Sequence, residues 1–204
     1  MYKRQGSYDF DDEGSKAERA DLVKDGMLEG FLTTRMEMPV KKQKSNGHAR
    51  NKSFQRAISR MAVTVVESKS ELSLADLKKK LIEEIKKQKR PFGMIVYETA
   101  GGETDTTSYD FQAFSGEISY ATLVYPNGKE QVVRGVDFVG TPLQALNNIL
   151  AVGKESVIDN HYCGAESGFI PVTTICPAVL LSNLELQAKE EELVTQYLLP
   201  RPKV

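Results

Sequence analysis

Tight-turn residues separate short apolar runs along much of this chain, and the pattern predicts β-hairpins. The runs at 17–23 and 27–34 flank Lys24-Asp25-Gly26, and those at 117–125 and 130–134 flank Pro126-Asn127-Gly128-Lys129. Asp-Gly and Asn-Gly favour a two-strand connection because glycine tolerates the positive φ of a tight turn. Each turn is therefore expected to join two antiparallel strands.

Further strands are predicted where β-branched and aromatic residues cluster. These segments are 61–67, 92–99, 169–176 and 179–187, with Pro177 separating the last two. Ala100-Gly101-Gly102 is expected to form a turn or a close backbone approach, and residues 103–116 an irregular lip.

Two stretches carry apolar residues at helical spacing instead. The first covers residues 70–90, where Ser73 can cap the helix with Asp76 and Pro91 ends it. The second begins at Thr141-Pro142 and ends at Gly153. Their apolar stripes are Leu74, Leu77, Leu81 and Ile85 in the first, and Leu143, Leu146, Ile149 and Leu150 in the second.

Strands joined mainly by hairpins, with two main helices, indicate an α+β fold with mostly antiparallel strands. We expect one domain over residues 1–187, with a basic loop inserted at 35–60, and a tail at 188–204. No apolar run approaches the ~20 residues that span a bilayer, and the first residues lack the apolar core of a signal peptide. The expected location is cytoplasmic, or outside the cell if an upstream signal sequence was lost.

Composition narrows the possible partners. The chain has 204 residues, a formal net charge of −1 and a pI near 6.2, which argues against bulk attraction to nucleic acid or to an anionic membrane. The basic loop is open to two interpretations: a solvated flexible loop, or one that grips a peptide carboxylate or an acidic partner. Two cysteines, Cys163 and Cys176, are too few for a disulfide framework.

Candidate chemistry concentrates in residues 159–168, which we expect to form a loop. His, Cys, Asp and Glu, the main metal-binding side chains, all occur there, and a deprotonated Cys163 could act as a soft ligand or as a nucleophile. His161-x-Cys163 offers at most two donors, whereas a structural zinc site takes four. A small polar turn with a half-buried cysteine fits the same pattern. Cys176, on an apolar run before Pro177, is expected in the core.

Taken in order, several motifs resemble the C-terminal half of the TldD/PmbA peptidase family, also called modulators of DNA gyrase. The resemblance covers about residues 6–187. It rests on Asp11-Asp12-Glu13-Gly14, Lys24-Asp25-Gly26-Met27-Leu28-Glu29-Gly30-Phe31-Leu32, Ser45-Asn46-Gly47-His48-Ala49-Arg50, Ser59-Arg60, Arg134-Gly135-Val136-Asp137-Phe138-Val139-Gly140-Thr141-Pro142-Leu143 and Cys163-Gly164-Ala165-Glu166-Ser167-Gly168.

The resemblance implies a zinc metallopeptidase that acts as a homo- or heterodimer on unstructured peptides. In that family the metal is held by two histidines of an HExxxH helix and by a downstream cysteine, which Cys163 matches. This chain contains no HExxxH, so it lacks the glutamate base as well as the two histidines. Because catalytic zinc needs three protein ligands, we expect a scaffold and third-ligand portion that is inactive alone, with no catalytic residue of its own.

Other roles suggested alongside the resemblance concern substrate binding. His48, Arg50 and Glu166 are candidates for contacts with the peptide, while His161 is a weaker candidate for an additional metal ligand. The zinc ion would bind only with ligands from an upstream HExxxH segment or from a TldD/PmbA-type subunit. The alternative is a non-catalytic partner subunit of such a dimer. An enzyme that uses Cys163 as a nucleophile with His161 is disfavoured, because no third group that would orient the histidine is evident.

Overall fold

The computed structural model describes residues 4–36, 44–70, 72–105 and 113–189. Within them the chain forms two helices, α1 (Leu74–Lys87) and α2 (Pro142–Asn147). The strands are β1 (Val23–Lys24), β2 (Met27–Leu28), β3 (Ala49–Arg50), β4 (Ile58–Ser59), β5 (Val63–Val65), β6 (Gly93–Asp105), β7 (Ala113–Val124), β8 (Glu130–Val133), β9 (Val136–Gly140), β10 (Ile149–Ala165), β11 (Gly168–Leu181) and β12 (Glu185–Ala188).

The predicted α+β class is confirmed, and the strand pairing is mostly antiparallel. β5 and β11 pair in parallel. The chain divides into two compact units, and each is built from two segments: residues 1–69 with 154–178, and residues 70–153 with 179–204. The single domain expected over residues 1–187 stays a prediction, and most of the expected tail, residues 190–204, lies outside the part that the structure describes.

The first unit contains three small sheets. β1 and β2 form the predicted Asp-Gly hairpin, in which Gly26 adopts a φ of +80°, although only two residues on each side are strand. β3 pairs with β4, and β5 adds to β11 in a sheet ordered β10-β11-β5. Ile170 and Val172 of β11 are buried in this unit.

The basic loop is therefore more regular than its sequence indicates. Residues 35–60 show no apolar period, yet Ala49–Arg50 and Ile58–Ser59 pair as antiparallel strands. Residues 37–43 of the loop lie outside the described residues. Ala49 is fully buried and Arg50 nearly so, although the many positive charges of this segment predict exposure to solvent.

The second unit is a five-stranded sheet with a helix packed on it. β7 lies between β6 on one side and β8 and β9 on the other, and β12 extends the sheet beyond β9. Ile85 and Leu81 of α1 pack against Gly93 of β6, so closely that a Cβ at this glycine would lie 2.8 Å from a carbon of either side chain. The predicted Asn-Gly hairpin between β7 and β8 is confirmed.

Two boundaries in this unit were predicted wrongly. Residues 100–105 continue β6 as strand, so neither the turn nor the start of the irregular lip forms, and register shifts occur between Val96 and Gly101. The alternative of a close backbone approach holds at Gly102, where a Cβ would lie 2.8 Å from the Ser115 carbonyl oxygen. Residues 106–112 lie outside the described part of the chain. The helix expected to reach Gly153 stops at Asn147, so Ile149 and Leu150 begin β10, and Leu143 of α2 is 75% exposed.

Candidate functional site

Cys163 lies near the end of β10 and not in a loop, which corrects the expectation for residues 159–168. β10 runs to Ala165 and β11 begins at Gly168, so only two residues separate the strands. Gly168 has a φ of +90°, a left-handed conformation that suits glycine and closes this tight connection. Cys163 is a half-buried free thiol, whereas the neighbouring Tyr162 is exposed.

A buried arginine forms hydrogen bonds with both strands at this end of the hairpin. Arg60 follows β4 and is only 4% exposed. Its guanidinium donates from Nη2 to the carbonyl oxygen of Cys163 at 2.5 Å and from Nη1 to that of Gly168 at 2.9 Å. One side chain thereby holds the ends of both strands.

Ser167 completes these hydrogen bonds from within the turn. Its hydroxyl accepts from Arg60 Nη1 at 2.7 Å and donates to the carbonyl oxygen of Arg50 at 2.9 Å. The Ser167 carbonyl oxygen accepts from the Lys52 backbone N–H at 2.8 Å. We call Arg60, Ser167 and the carbonyl groups of Arg50, Cys163 and Gly168 the hairpin clamp.

Arg50, a candidate for substrate binding, is itself buried. Its Nη1 donates to the carbonyl oxygens of Met61 and Pro171 at 2.8 and 2.9 Å, and its guanidinium carbon lies 4.8 Å from the centre of the Tyr8 ring. Burial lowers the pKa of Arg50 and raises the pKa of Tyr8 to about 12. The guanidinium is thus anchored by carbonyl dipoles and an aromatic face.

His48, the second candidate, is fixed by its own loop. Its Nδ1 lies 3.0 Å from the backbone carbonyl oxygen and 2.9 Å from the Oδ1 of Asn46. That Oδ1 also accepts from the Thr33 backbone N–H, so Nδ1 faces acceptors and carries the proton of the neutral ring. Burial lowers the pKa of His48, which favours this neutral form.

The remaining candidates are more exposed. Glu166 stands on the two-residue turn with its side chain in solvent. His161 is half-buried, and its Nδ1 is enclosed without a hydrogen bond, although it lies 3.4 Å from Asp159 Oδ2. Cys176 is half-buried, and burial raises the pKa of its thiol. None of these placements tests the predicted roles, which stay predictions.

The N-terminal segment lies alongside the strand that carries Cys163. The Gln5 backbone N–H donates to Asn160 Oδ1 at 3.1 Å, and Gln5 Nε2 donates to the His161 carbonyl oxygen at 3.3 Å. The Gly6 N–H donates to Thr173 Oγ1 at 2.9 Å, and this hydroxyl donates to the same Asn160 oxygen. A Cβ at Gly6 would lie 2.1 Å from the Ala62 carbonyl oxygen, so only glycine fits this approach.

Sequence reasoning missed the roles of Arg60 and Ser167. Arg60 is one of many basic residues between 35 and 60, and charge alone predicts exposure. Its partners are mostly backbone carbonyl groups, which leave no trace in the sequence. The available signal was the occurrence of Ser59-Arg60 and Ser167 inside two of the family-like motifs.

The metal implied by the resemblance can be tested against the donors present. A cysteine thiolate suits zinc, so Cys163 fits one position of its shell. Among the described residues, however, no group of three or more His, Cys, Asp and Glu side chains lies close enough together to hold a metal ion. A zinc ion would therefore need ligands besides those that this part of the chain brings together.

Fold and site together define a class: an α+β fold with mostly antiparallel strands and a half-buried thiol, Cys163, next to the turn of a clamped hairpin. The family model for the PmbA/TldA metallopeptidase C-terminal domain matches residues 1–188, and the chain belongs to this family. No helix within the described ranges is long and apolar enough to cross a membrane.

Several curated relatives carry the name metalloprotease. One from Archaeoglobus fulgidus is 31% identical over 176 residues, which are 86% of this chain and 38% of the relative. A metalloprotease TldD homolog from Haemophilus influenzae is 26% identical, and the match covers 89% of this chain and 36% of the relative. The chain thus spans little more than a third of the length of these relatives.

Solved structures share the fold. TldE from Thermococcus kodakarensis superposes with a TM-score of 0.61 at 17% identity, covering 88% of this chain and 36% of that one. A Thermotoga maritima protein described as a modulator of a DNA gyrase gives a TM-score of 0.59 at 20% identity, with coverages of 89% and 36%.

Proposed function

We propose that this chain is the C-terminal scaffold of a zinc-dependent peptidase acting on unstructured peptides, and that Cys163 supplies its third protein ligand. The two histidine ligands and the glutamate base would come from an HExxxH segment outside these 204 residues. The chain alone would then be inactive. Support comes from the family match and from the relatives named metalloproteases.

The position of the N-terminal segment carries the proposal. Gln5 contacts Asn160 and the carbonyl group of His161, three and two residues from Cys163 in the same strand. These contacts hold residue 5 against the strand that carries Cys163. On this basis we propose that ligands on a polypeptide joined ahead of the chain reach the thiol.

Each group then has a defined chemical part. Zinc, when bound by three protein ligands, lowers the pKa of its water to ~7 and polarises a peptide carbonyl. Cys163 would contribute a thiolate, and the hairpin clamp would keep its backbone in place. His48, Arg50 and Glu166 remain proposed substrate contacts, of which Glu166 is the most exposed and the readiest to meet a peptide amine.

We further propose that the active form is a dimer with a TldD/PmbA-type subunit. The relatives include TldD homologs, and TldE is among the proteins with the same fold. A non-catalytic partner subunit is the competing possibility, in which Cys163 would hold no metal.

Zinc analysis of matched cysteine variants tests the proposal. The chain, Cys163→Ser and Cys176→Ser are each purified alone and after co-expression with a family polypeptide that carries an HExxxH helix. Zinc should be retained in the co-expressed complex, be lost from Cys163→Ser and persist in Cys176→Ser. Equal zinc in both cysteine variants, or none in the parent complex, would reject Cys163 as a ligand. A stable zinc-free complex would favour the non-catalytic partner.

A further inference from the structure

We infer that Arg60 is a positioning residue for Cys163: it fixes the backbone from which the thiol projects. The inference rests on the proposed function only in taking the Cys163 thiolate to be a zinc ligand. The bonds of Arg60 to the carbonyl groups of Cys163 and Gly168 cross from β10 to β11, so they fix the peptide plane after Cys163 relative to the next strand.

The tip needs such support because β10 is an edge strand of its sheet. Strand ends at an edge open locally more easily than central strands, since water can replace their partners. A metal-binding side chain must hold its geometry to within about 0.5 Å, which requires supporting hydrogen bonds around it. In this hairpin the support comes from a side chain on another segment of the chain.

Arginine suits this task for a geometric reason. Its planar guanidinium presents several N–H groups in fixed directions, and here they meet two carbonyl oxygens and the Ser167 hydroxyl. Lysine keeps the charge but carries its three N–H groups on one nitrogen, so it cannot reproduce the two separate donor positions, Nη1 and Nη2, that Arg60 uses here. With only 4% of Arg60 exposed, solvent has little access to the bonds.

The two cysteines of the chain allow an internal comparison. In Arg60→Lys, iodoacetamide should alkylate Cys163 roughly tenfold faster than in the parent, because the hairpin tip opens more often. The rate at Cys176, which lies further along β11, should change less than twofold. Peptide mass spectrometry gives both rates from one sample over a range of pH, and Arg56→Lys, an exposed arginine in the same segment, serves as the control.

The Cys163 rate is compared with the Cys176 rate throughout. A Cys163 rate within twofold of the parent would overturn the inference, and so would an equal rise at both cysteines, which reports general loosening. A change of the Cys163 pH–rate profile without one at Cys176 supports it. Should Arg60→Lys fail to fold, the alkylation rates of Ser167→Ala are compared by the same criteria, because this variant removes the hydroxyl that accepts from Arg60 Nη1.

A second measurement separates this inference from the proposed function. In the complex with an HExxxH-bearing polypeptide, Arg60→Lys should lose zinc to a chelator about tenfold faster than Arg56→Lys. If Cys163→Ser shows that the complex holds no cysteine-dependent zinc, the proposed function fails. The alkylation rates of the chain alone still decide whether Arg60 positions Cys163.

Discussion

At the residue scale, the Ser167 hydroxyl links two buried arginines through one hydrogen bond in each direction. It accepts from Arg60 and donates to the carbonyl group of Arg50, and the residue is 1% exposed. A buried polar group that loses its partner keeps its desolvation cost, so neighbours of this hydroxyl depend on it.

We therefore expect Ser167→Ala to destabilise the first unit by about 2 kcal/mol, since it leaves an Arg60 N–H and the Arg50 carbonyl oxygen without this partner. The midpoint of urea denaturation measures this loss of stability, and hydrogen exchange of the β10–β11 segment shows whether it is located at the clamp. Ser7→Ala, at an exposed serine of the same unit, should shift the midpoint negligibly. Equal midpoints for the two variants would contradict the clamp as a stabilising network.

Sequence reasoning works at this scale where a residue's chemistry is unusual and fails where its partners are backbone groups. Cys163 drew attention because His, Asp and Glu surround it in the sequence, and its role as a metal ligand stays a proposal. Arg50 and Arg60 carry the same charge as their exposed neighbours. Most of the carbonyl groups that accept from them, those of Pro171, Cys163 and Gly168, belong to residues more than 100 positions away. Nothing in the local sequence indicates those contacts.

At the element scale, elements with strong local signals follow the sequence closely. Ser73 is the N-cap of α1, and its hydroxyl oxygen accepts from the Asp76 backbone N–H. The Asp76 carboxylate accepts in turn from the Ser73 backbone N–H, as the capping-box pattern predicts. The second helix lacks this closure, because Thr141 makes no side-chain cap bond, and it ends after six residues.

The capping box gives a direct test. Ser73→Ala should lower the stability of α1 by about 1 kcal/mol, because the Asp76 N–H loses its acceptor at the helix end. Hydrogen exchange of the first turn of α1 reports the loss, and Ser73→Asn, which can still cap, should retain most of the protection. Unchanged protection in the alanine variant would show that the cap contributes little here.

Strand ends and proline positions were harder to predict. Pro177 was expected to split β11, yet the strand continues through it to Leu181. Pairing with β5 involves only Thr173, Thr174 and Ile175, so the missing N–H of Pro177 lies beyond that ladder. Whether proline interrupts a strand depends on which neighbours it has, and those are set by the tertiary fold.

At the scale of the whole molecule, stability should depend on pH through His48. Burial lowers its pKa in the folded state, so below about pH 6.5 the unfolded chain takes up a proton that the folded chain resists. Stability is fully present above that pH, and is lost as the pH falls from the unfolded towards the folded pKa.

We expect the free energy of unfolding to fall as the pH is lowered below about 6.5, and His48→Gln to remove much of this fall. Urea denaturation at a series of pH values measures it. The difference between parent and variant isolates His48 from the acidic residues, which titrate in both. Identical pH profiles for the two proteins would contradict a buried neutral His48.

The sequence predicts the class of fold at this scale, because hairpin turns and capped helices are local signals. It does not predict the division into two units, since each unit joins segments that are far apart along the chain. The candidate site follows the same rule: the sequence singled out Cys163, whose role stays a proposal, but not Arg60 and Ser167.

The parallel pairing of Val63–Val65 with residues 173–175 has a consequence for biosynthesis. The ribosome must add 110 residues after Val63 before Thr173 exists, which at cellular elongation rates takes roughly 5 to 22 seconds. During that interval residues 63–65 of the nascent chain, all β-branched, lack the strand with which they pair in the folded protein. Chaperones that shield such segments would be needed most before the second half of this protein leaves the exit tunnel.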